Sequence, residues 1–333
     1  MTAPTPTSST TSARVHSALH VMDRDDLVTW WRGVLGGDVD WDDAQRDLAQ
    51  VSWDGYPMLV AGPLGDPTPQ LHPGSRALPP GTSVLLLTNG PDALDALQRA
   101  FTQRGVQGVE RQSQPWGELR LTLPLPVSPV DPGSAVRPAN AAATGTPYQL
   151  AFLAQLPREP AAWLADFRAG ADALEHAVID LSAPELDLRP HPYAWSIRQH
   201  VHHLAEMEVT GLVSNRFALA EPGREVVSNG YDQDVWAAAL HYADRDVAPS
   251  LALFRATRSW TLQLLDLLPD AWERSSHAPH GAPFAVGTML EMLTAHALGH
   301  IAEIHAIRAQ HGIPAPNETP ADATPMVVTG TSS

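Results

Sequence analysis

Apolar residues recur at helical spacing through the C-terminal half of the chain, and we take this periodicity first. The pattern predicts four amphipathic helices, at about 159–179, 196–219, 247–268 and 288–311. Ser196 with Gln199, and Thr288 with Glu291, have the spacing of a capping box at the start of the second and fourth helices. A long polar crossing separates the second helix from the third. The segment 147–312 is therefore expected to form an all-α, up-down four-helix bundle with one long crossover.

The N-terminal half shows shorter elements that occur twice in the same order. Strands are expected at 15–22, 49–53, 56–61, 83–88, 108–112 and 118–123, and helices at about 23–35 and 89–105. Gly36-Gly37 ends the first helix, and Asp54-Gly55 predicts a hairpin turn. The repeat predicts an α+β domain at 14–125, made of two similar β-α-β-β-β halves.

Three segments have compositions that are typical of chain outside a packed core. Residues 1–13 and 313–333 are polar and are expected to be disordered tails. Residues 126–146 are rich in Pro, Ala and Gly, and we interpret them as a semi-extended linker at the domain boundary. The sequence therefore predicts a multidomain protein.

Composition excludes several classes of function. The chain of 333 residues has a formal charge of −16, which argues against binding to nucleic acid or to an anionic membrane. It has no cysteine, and all 21 basic residues are arginine, so thiolate ligands, thiol nucleophiles and Schiff-base lysines are excluded. No apolar run approaches the roughly 20 residues of a membrane span, and no signal-peptide core is seen, so we expect a cytoplasmic protein.

Three histidines on the predicted inner faces of two helices are the main candidates for chemistry. His296 and His300 are four residues apart and lie on one side of the fourth helix, while His203 lies on the inner face of the second. Two imidazoles from one helix and one from another can bind one divalent ion and leave a coordination position open, as in catalytic zinc sites. His202 would point about 100° away from His203 and is not expected to be a ligand.

The other histidines are expected to have no ligand role. His16 and His20 lie in the first predicted strand, and the remaining ones are interpreted as solvated loop or terminal residues: His191, His277, His280 and His311. Glu303 and His305 are expected not to touch the three candidates. Asn215 and Arg216 are candidates for binding an anionic group of a substrate at the mouth of the site, or else form an ordinary surface pair.

Several motifs of the C-terminal half resemble the DinB-like superfamily of four-helix-bundle metalloproteins. They are WSIRQHVHHLAE, NRFALAE, YDQDVW, WERSSHAPH and HALGH, in that order. The resemblance is closest to the branch that includes bacillithiol S-transferases, earlier described as metal-dependent hydrolases. It implies that His203, His296 and His300 are the metal ligands, with zinc first and nickel second. It also implies a low-molecular-weight thiol as co-substrate and, by analogy, a homodimer.

The N-terminal repeat is similar to the vicinal-oxygen-chelate superfamily, the glyoxalase and bleomycin-resistance fold. The similarity rests on HSALHVMDRDDLVTWWRGVLGG and on GTSVLLLTNGPDALDALQRAFTQRGV followed by PWGELRLTL. His16 matches the family's first-strand ligand. The other ligand positions match residues that cannot bind a metal: Ala61, Val84, and Leu121 or Leu123. This domain is therefore predicted to be metal-free, and to bind a small ligand or only to support its partner domain.

Three functions remain open from the sequence. The first is a metal-dependent S-transferase that conjugates a bacillithiol- or mycothiol-type thiol to an electrophilic small molecule, in detoxification or resistance. The second keeps the metal but uses water, as a small-molecule hydrolase. The third is a non-enzymatic protein that sequesters a small molecule.

Overall fold

The structure is a computed structural model that describes residues 18–53, 56–70, 78, 83–88, 90–126, 129, 148–192, 194–226, 231, 233–278 and 283–316. The strands within these ranges are β1 (Ala18–His20), β2 (Asp38–Asp43), β3 (Leu48–Trp53), β4 (Tyr56–Ala61), β5 (Ser83–Leu87), β6 (Glu110–Ser113), β7 (Glu118–Pro124), β8 (Gln149–Gln155), β9 (Ser275–His277) and β10 (Pro283–Ala285). The helices are α1 (Arg24–Trp30), α2 (Pro91–Gln103), α3 (Pro160–Val178), α4 (Ala183–Leu186), α5 (Ile197–Ala220), α6 (Gln233–Ala239), α7 (Ala248–Leu267) and α8 (Val286–Gln310). Within these ranges, none of the helices has the length and apolar character needed to span a lipid bilayer.

Two four-stranded sheets repeat one topology in the N-terminal unit. The first sheet has the order β1-β4-β3-β2 and the second has the order β5-β8-β7-β6. In the first sheet β1 pairs in parallel with β4, and in the second β5 pairs in parallel with β8. The remaining neighbours in both sheets pair antiparallel. Apolar residues of both sheets and of α1 and α2 share one core. The predicted paired β-α-β-β-β architecture is confirmed.

The boundary of this unit differs from the prediction, because β8 belongs to the second sheet. β8 pairs in parallel with β5 and antiparallel with β7, and thus provides the backbone partners for both strands. Leu150 and Phe152 are fully buried in the shared core. The α+β unit therefore extends from the predicted end at 125 to residue 155. The predicted linker 126–146, most of which lies outside the described residues, falls inside the unit.

A second strand was missed in the first half. β2 reads DVDWDD, and its four acidic residues contradict the usual strand composition. It is the edge strand of its sheet, and exposed positions alternate along it, so Asp38, Asp40 and Asp42 are exposed while Asp43 is partly buried. The predicted tail 1–13 and residues 317–333 of the other tail lie outside the described residues.

The four long helices of the C-terminal unit begin and end within two residues of the predicted bounds. Ser196 caps α5 as predicted, because its side chain accepts from the amide of Gln199 while the Gln199 side chain accepts from the Ser196 N–H at 3.0 Å. The predicted capping box at Thr288 is wrong. α8 begins at Val286, so Thr288 and Glu291 lie inside the helix.

The long helices form a bundle whose order around the ring differs from simple up-down succession. α3 packs against α7 and α8, and α5 packs against the same two helices. Consecutive long helices α3 and α5 therefore lie at opposite corners, as do α7 and α8. A connection between two diagonal helices has to cross an end of the bundle. The segment with α4 connects α3 to α5, and the segment with β9 and β10 connects α7 to α8.

One buried arginine links all four long helices. The guanidinium of Arg258 in α7 donates to Glu208 of α5 at 3.1 Å, to the Phe167 carbonyl of α3 at 3.0 Å, and to the Leu293 carbonyl of α8 at 3.4 Å. Both charged side chains are almost fully buried, at 2% and 3% exposure. Burial raises the pKa of Glu208, and the guanidinium opposes this rise. Removing one partner would leave an uncompensated charge in the core.

We predict that Arg258→Met lowers the free energy of unfolding by about 3–5 kcal/mol, because Glu208 stays buried without its partner. Arg255→Met is the matched control on the same helix. Its ion pairs with Asp172 and Glu175 are partly exposed, so its loss should cost about 0–1 kcal/mol. Urea denaturation followed by helical circular dichroism measures both.

The double variant R258M/E208L removes both buried charges and should recover most of the stability lost in R258M. Equal unfolding midpoints for R258M and R255M would show that the buried pair has no special role.

Candidate metal centre

Three imidazoles meet between two antiparallel helices. His203 lies in α5, and His296 and His300 lie one turn apart in α8. The Nε2 atom of His203 is 2.9 Å from Nε2 of His296, which is 3.1 Å from Nε2 of His300. One nitrogen from each ring lies within 4.8 Å of the other two. The structure therefore brings together the three residues that the sequence predicted to meet.

Close packing of α5 on α8 sets the distance between the rings. A Cβ atom at Gly211 of α5 would meet a side-chain carbon of Leu293 at 2.8 Å, so only glycine lets the helices approach this closely. Leu293 precedes His296 by one turn. At the other end, the Ser196 cap fixes where α5 begins, seven residues before His203. The Ser196 cap thus determines where α5 begins, and Gly211 determines how closely α5 and α8 approach each other near the site.

Burial favours the neutral form of His203 and of His296. His203 is 1% exposed, and desolvation lowers its pKa far below the usual range. Desolvation also lowers the pKa of His296 to about 3. A neutral imidazole carries one nitrogen with a free lone pair, which is the form that binds metals. Nδ1 of His203 has no hydrogen-bond partner among the described residues. The polar contact of this ring is made by Nε2, which faces Nε2 of His296.

Glu303 orients His300, contrary to the prediction that it would not touch the three histidines. One oxygen of its carboxylate, Oε2, lies 2.8 Å from Nδ1 of His300. A proton on Nδ1 leaves the Nε2 lone pair directed at the other two rings, which is how carboxylates support metal-binding histidines. Burial raises the pKa of Glu303, but the hydrogen bond with His300 and nearby basic groups, Arg120 among them, lower it to about 2.

The donor set fits a divalent ion. Two ligands of a tetrahedral zinc with bonds of about 2.0–2.1 Å lie about 3.3 Å apart, close to the observed 2.9 and 3.1 Å. Without an ion, every close pair of nitrogens needs a proton between them, and the ring that gives its proton to Glu303 has none left for this purpose. Three neutral imidazole nitrogens are ligands suited to zinc and nickel.

His200 is a fourth histidine at the site, and the sequence analysis missed it. Its Nδ1 lies 2.9 Å from Nδ1 of His300 and 3.5 Å from Glu303. His200, His300 and Glu303 form a second group with metal-ligand spacing that shares one ring with the first. Desolvation lowers the pKa of His200 to about 3. The signal was present, because His200 precedes His203 by three residues and so shares its helix face.

Trp195 forms an aromatic wall beside the rings. Its indole lies 4.7 Å from the ring of His203, edge to face, and stacks 6.1 Å from the ring of His300. Its Nε1–H donates to Asp234 at 2.8 Å, which connects the wall to α6. The packing fixes the orientations of the two histidine rings.

A cavity of about 970 Å³ opens onto His200, His296, His300 and Glu303. Its lining comes from α3, α5, α6 and α8, and also from β7 and β8 of the second sheet. A cavity of this size is large enough for a drug-sized ligand. The histidines therefore face a space that both units of the chain enclose.

The two residues predicted to bind substrate lie elsewhere. Asn215 is twelve residues beyond His203, or about 18 Å along α5, and is 3% exposed. The guanidinium of Arg216 lies over the ring of Trp260, 4.5 Å from its centroid. Neither residue lines the cavity. The structure does not bring Asn215 and Arg216 to the three histidines, because more than three helical turns separate them.

The remaining histidines take other positions. His202 points away from the site, as predicted, and its Nδ1 lies 2.7 Å from the Ser250 hydroxyl. His20, His277 and His311 each contact a backbone carbonyl, at 2.9, 3.1 and 3.0 Å. His191 lines the outer part of the cavity. His16 and His280 lie outside the described residues.

Similar proteins were found for both units of the chain. A protein from Oceanobacillus iheyensis that is named "Putative metal-dependent hydrolase" is 27% identical over 146 residues. The match covers 44% of this chain and 83% of that protein. The solved structure of YfiT from Bacillus subtilis, described as a proposed metal-dependent hydrolase with an unusual four-helix bundle topology, is 24% identical, covers 48% of this chain and 94% of that one, and has a TM-score of 0.43. A lactoylglutathione lyase structure from Agrobacterium tumefaciens is 14% identical, covers 42% of this chain and 94% of that one, and has a TM-score of 0.30.

The family comparison concerns the helical part of the chain. Residues 166–304 match the sequence model of the DinB superfamily, and this range contains all four histidines of the site together with Glu303. Over residues 166–304, which are less than half of its length, this chain is therefore similar to the DinB superfamily.

Proposed function

We propose that the chain is a metal-dependent enzyme in which His203, His296 and His300 hold one divalent ion, zinc first and nickel second. The observation that carries the proposal is the convergence of three imidazole Nε2 atoms on one point beside a large cavity. The names of the similar proteins, which describe metal-dependent hydrolases, also support it.

When bound, the ion lowers the pKa of a water or thiol that binds to it and so supplies a nucleophile near neutral pH. The chain's own groups prepare the site for this. Glu303 holds the His300 ring with its Nε2 lone pair inward, and Trp195 packs against the rings and limits access of water from its side. Burial lowers the pKa of His203 and of His296, so protons compete little with the ion for their nitrogen lone pairs.

Within this reaction class we propose S-transfer from a low-molecular-weight thiol, of the bacillithiol or mycothiol type, to an electrophilic small molecule. The chain has no cysteine, so the reacting sulfur has to come from a bound thiol. The cavity of about 970 Å³ has room for two small substrates side by side. The thiol gives its proton to solvent, a carbon–sulfur bond forms, and the leaving group departs from that carbon with its electron pair.

Hydrolysis is the second candidate, and the names of the similar proteins favour it. It uses the same ion and the same cavity but takes water as the nucleophile. The two candidates therefore differ in whether the reaction needs a thiol.

We predict that His296→Ala abolishes zinc binding while the bundle still folds, because two imidazoles do not suffice to hold the ion. His305→Ala is the matched control, since it removes a partly buried imidazole from the same helix outside both histidine groups. Elemental analysis after purification and circular dichroism measure metal content and folding. Equal zinc in both variants would contradict the proposed ligands.

We predict that Glu303→Gln weakens zinc affinity by about 10–100-fold, because the carboxylate that orients His300 is lost. Glu291→Gln provides the control, as Glu291 also lines the cavity from α8 but contacts none of the three histidines in the described structure. Competition with a chelating dye gives both affinities. A role for Glu303 is excluded when the two variants bind zinc alike.

The reaction class is tested with zinc-loaded protein and monochlorobimane. We expect fluorescent conjugate only when a thiol is added, and loss of the enzymatic rate in H296A but not in H305A. Product that forms from the electrophile with water alone, at a rate independent of thiol, would replace S-transfer by hydrolysis as the function of the same site.

A further inference from the structure

The second sheet of the α+β unit forms one wall of the metal cavity. Along β7, the leucines at 119, 121 and 123 are buried in the core of the unit, so the alternate residues face the other way. Glu118 and Arg120 on that other face line the cavity, opposite the helices that carry the histidines. From β8, Leu153 and Gln155 extend the same wall.

The wall is held firmly against the bundle. β8 ends at Gln155 and α3 begins at Pro160, so four residues, 156–159, connect the units. Arg158 in this connection donates to the Trp116 carbonyl of the α+β unit at 3.1 Å and to Asp166 of α3 at 2.7 Å. Its guanidinium also lies over Trp163, 4.3 Å from the ring centroid. One arginine thus binds both units at their junction.

Arg120 is a cation in a site with many acidic groups. Among the described lining residues, Arg120 and Arg189 are the arginines, while Glu118, Asp234, Glu291 and Glu303 are acidic. Nε and Nη2 of Arg120 donate to a single oxygen of Glu118, at 3.2 and 2.9 Å. No hydrogen bond within the described residues engages Nη1.

We propose that Arg120 binds a carboxylate of the substrate, and that the α+β unit thereby selects anionic substrates for the metal centre in the bundle. The inference rests on the proposed function and adds a substrate class to it. A guanidinium binds a carboxylate through two parallel N–H donors, and Nη1 with Nη2 can form this pair once the substrate competes with Glu118. The site is then composite, because the bundle supplies the metal ligands and the sheet supplies the anion-binding group.

The first experiment compares two thiols that differ in a carboxylate, 3-mercaptopropionate and 3-mercapto-1-propanol, on zinc-loaded protein. Calorimetry without an electrophile gives their affinities, and conjugation to monochlorobimane gives kcat/KM. Arg120→Gln should lower affinity and kcat/KM for the anionic thiol by about 10–100-fold and leave the neutral thiol unchanged. A second arm uses 3-mercapto-1-propanol with iodoacetate or iodoacetamide, so that the carboxylate is on the electrophile.

Glu118→Gln separates substrate binding from a structural role. This substitution releases Arg120 from its carboxylate partner, so preference for the anionic substrate should rise, whereas Arg120→Gln should lower it. If the ion pair between Glu118 and Arg120 only stabilised the sheet, both substitutions would change the preference for the anionic substrate in the same direction. Arg111→Gln, which removes an arginine of β6 that pairs with Asp95 outside the cavity, controls for the change in net charge.

The outcomes distinguish the two proposals. If no protein conjugates any thiol but Arg120 still discriminates the thiols in calorimetry, S-transfer fails and the anion site stands. If conjugation occurs and neither arm shows a preference that depends on Arg120, the anion site is overturned and S-transfer stands. Zinc content equal to that of the unsubstituted protein in R120Q and E118Q shows that the metal centre is intact in the comparison.

Discussion

The arrangement of the helical unit depends on one buried guanidinium. Arg258 lies in α7 and donates hydrogen bonds to α3, α5 and α8, so a single side chain restricts the distances between all four long helices. A Cβ atom at Gly170 would lie 2.1 Å from this guanidinium, so α3 has a glycine where the arginine needs room. Such a pair costs desolvation energy and gives little net stability, yet its geometry allows few alternatives. The carbonyl of Leu293, which Arg258 binds, lies one turn before His296. The three candidate ligands therefore lie next to the part of the bundle whose spacing is most tightly determined.

The site itself follows from burial. Four imidazoles lie between α5 and α8, and desolvation keeps His200, His203 and His296 neutral. Each neutral ring carries one proton and one lone pair, but His300 gives its proton to Glu303, so the rings have fewer protons than lone pairs left to share with each other. Such a shortage is unfavourable in a core unless a cation takes the lone pairs. The carboxylate of Glu303 adds negative charge on the outer side of the same cluster. The packing of these imidazole nitrogens is thus unfavourable for the protein by itself. An ion with three nitrogen ligands would remove the unfavourable contacts. Local instability of this kind is expected where a fold serves a function rather than its own stability.

Much of this could be predicted from the sequence, because long helices have a strong periodic signal. The bounds of α3, α5 and α7, the Ser196 cap and the meeting of His203 with His296 and His300 all follow from spacing along single helices. Tertiary features could not be predicted in this way. β8 is separated from its sheet partners by a long Pro- and Ala-rich segment, and strand pairing over that distance leaves no local pattern. The prediction that Glu303 does not touch the three histidines is wrong, although its position one turn after His300 already allowed a contact. The displacement of Arg216 onto Trp260 depends on where α7 lies, which the sequence of α5 does not contain.

The fusion of two units has a physical consequence for the metal centre. In the bundle alone, the cavity side of α8 would face solvent, and an ion there would act on substrates with little control over their orientation. The second sheet covers this side with a polar face, and the junction at Arg158 ties that face to α3 on one side and to Trp116 on the other. Because the sheet contributes Arg120 and Glu118 while the helices contribute the imidazoles, the units can diverge in separate roles. Changes on the sheet can alter which molecules enter, and the helices can keep the ligand set unchanged. Among its described residues the α+β unit has no group of three potential ligands close enough to hold an ion. In the composite site proposed above, its role is to be the substrate-selecting wall of its neighbour's site.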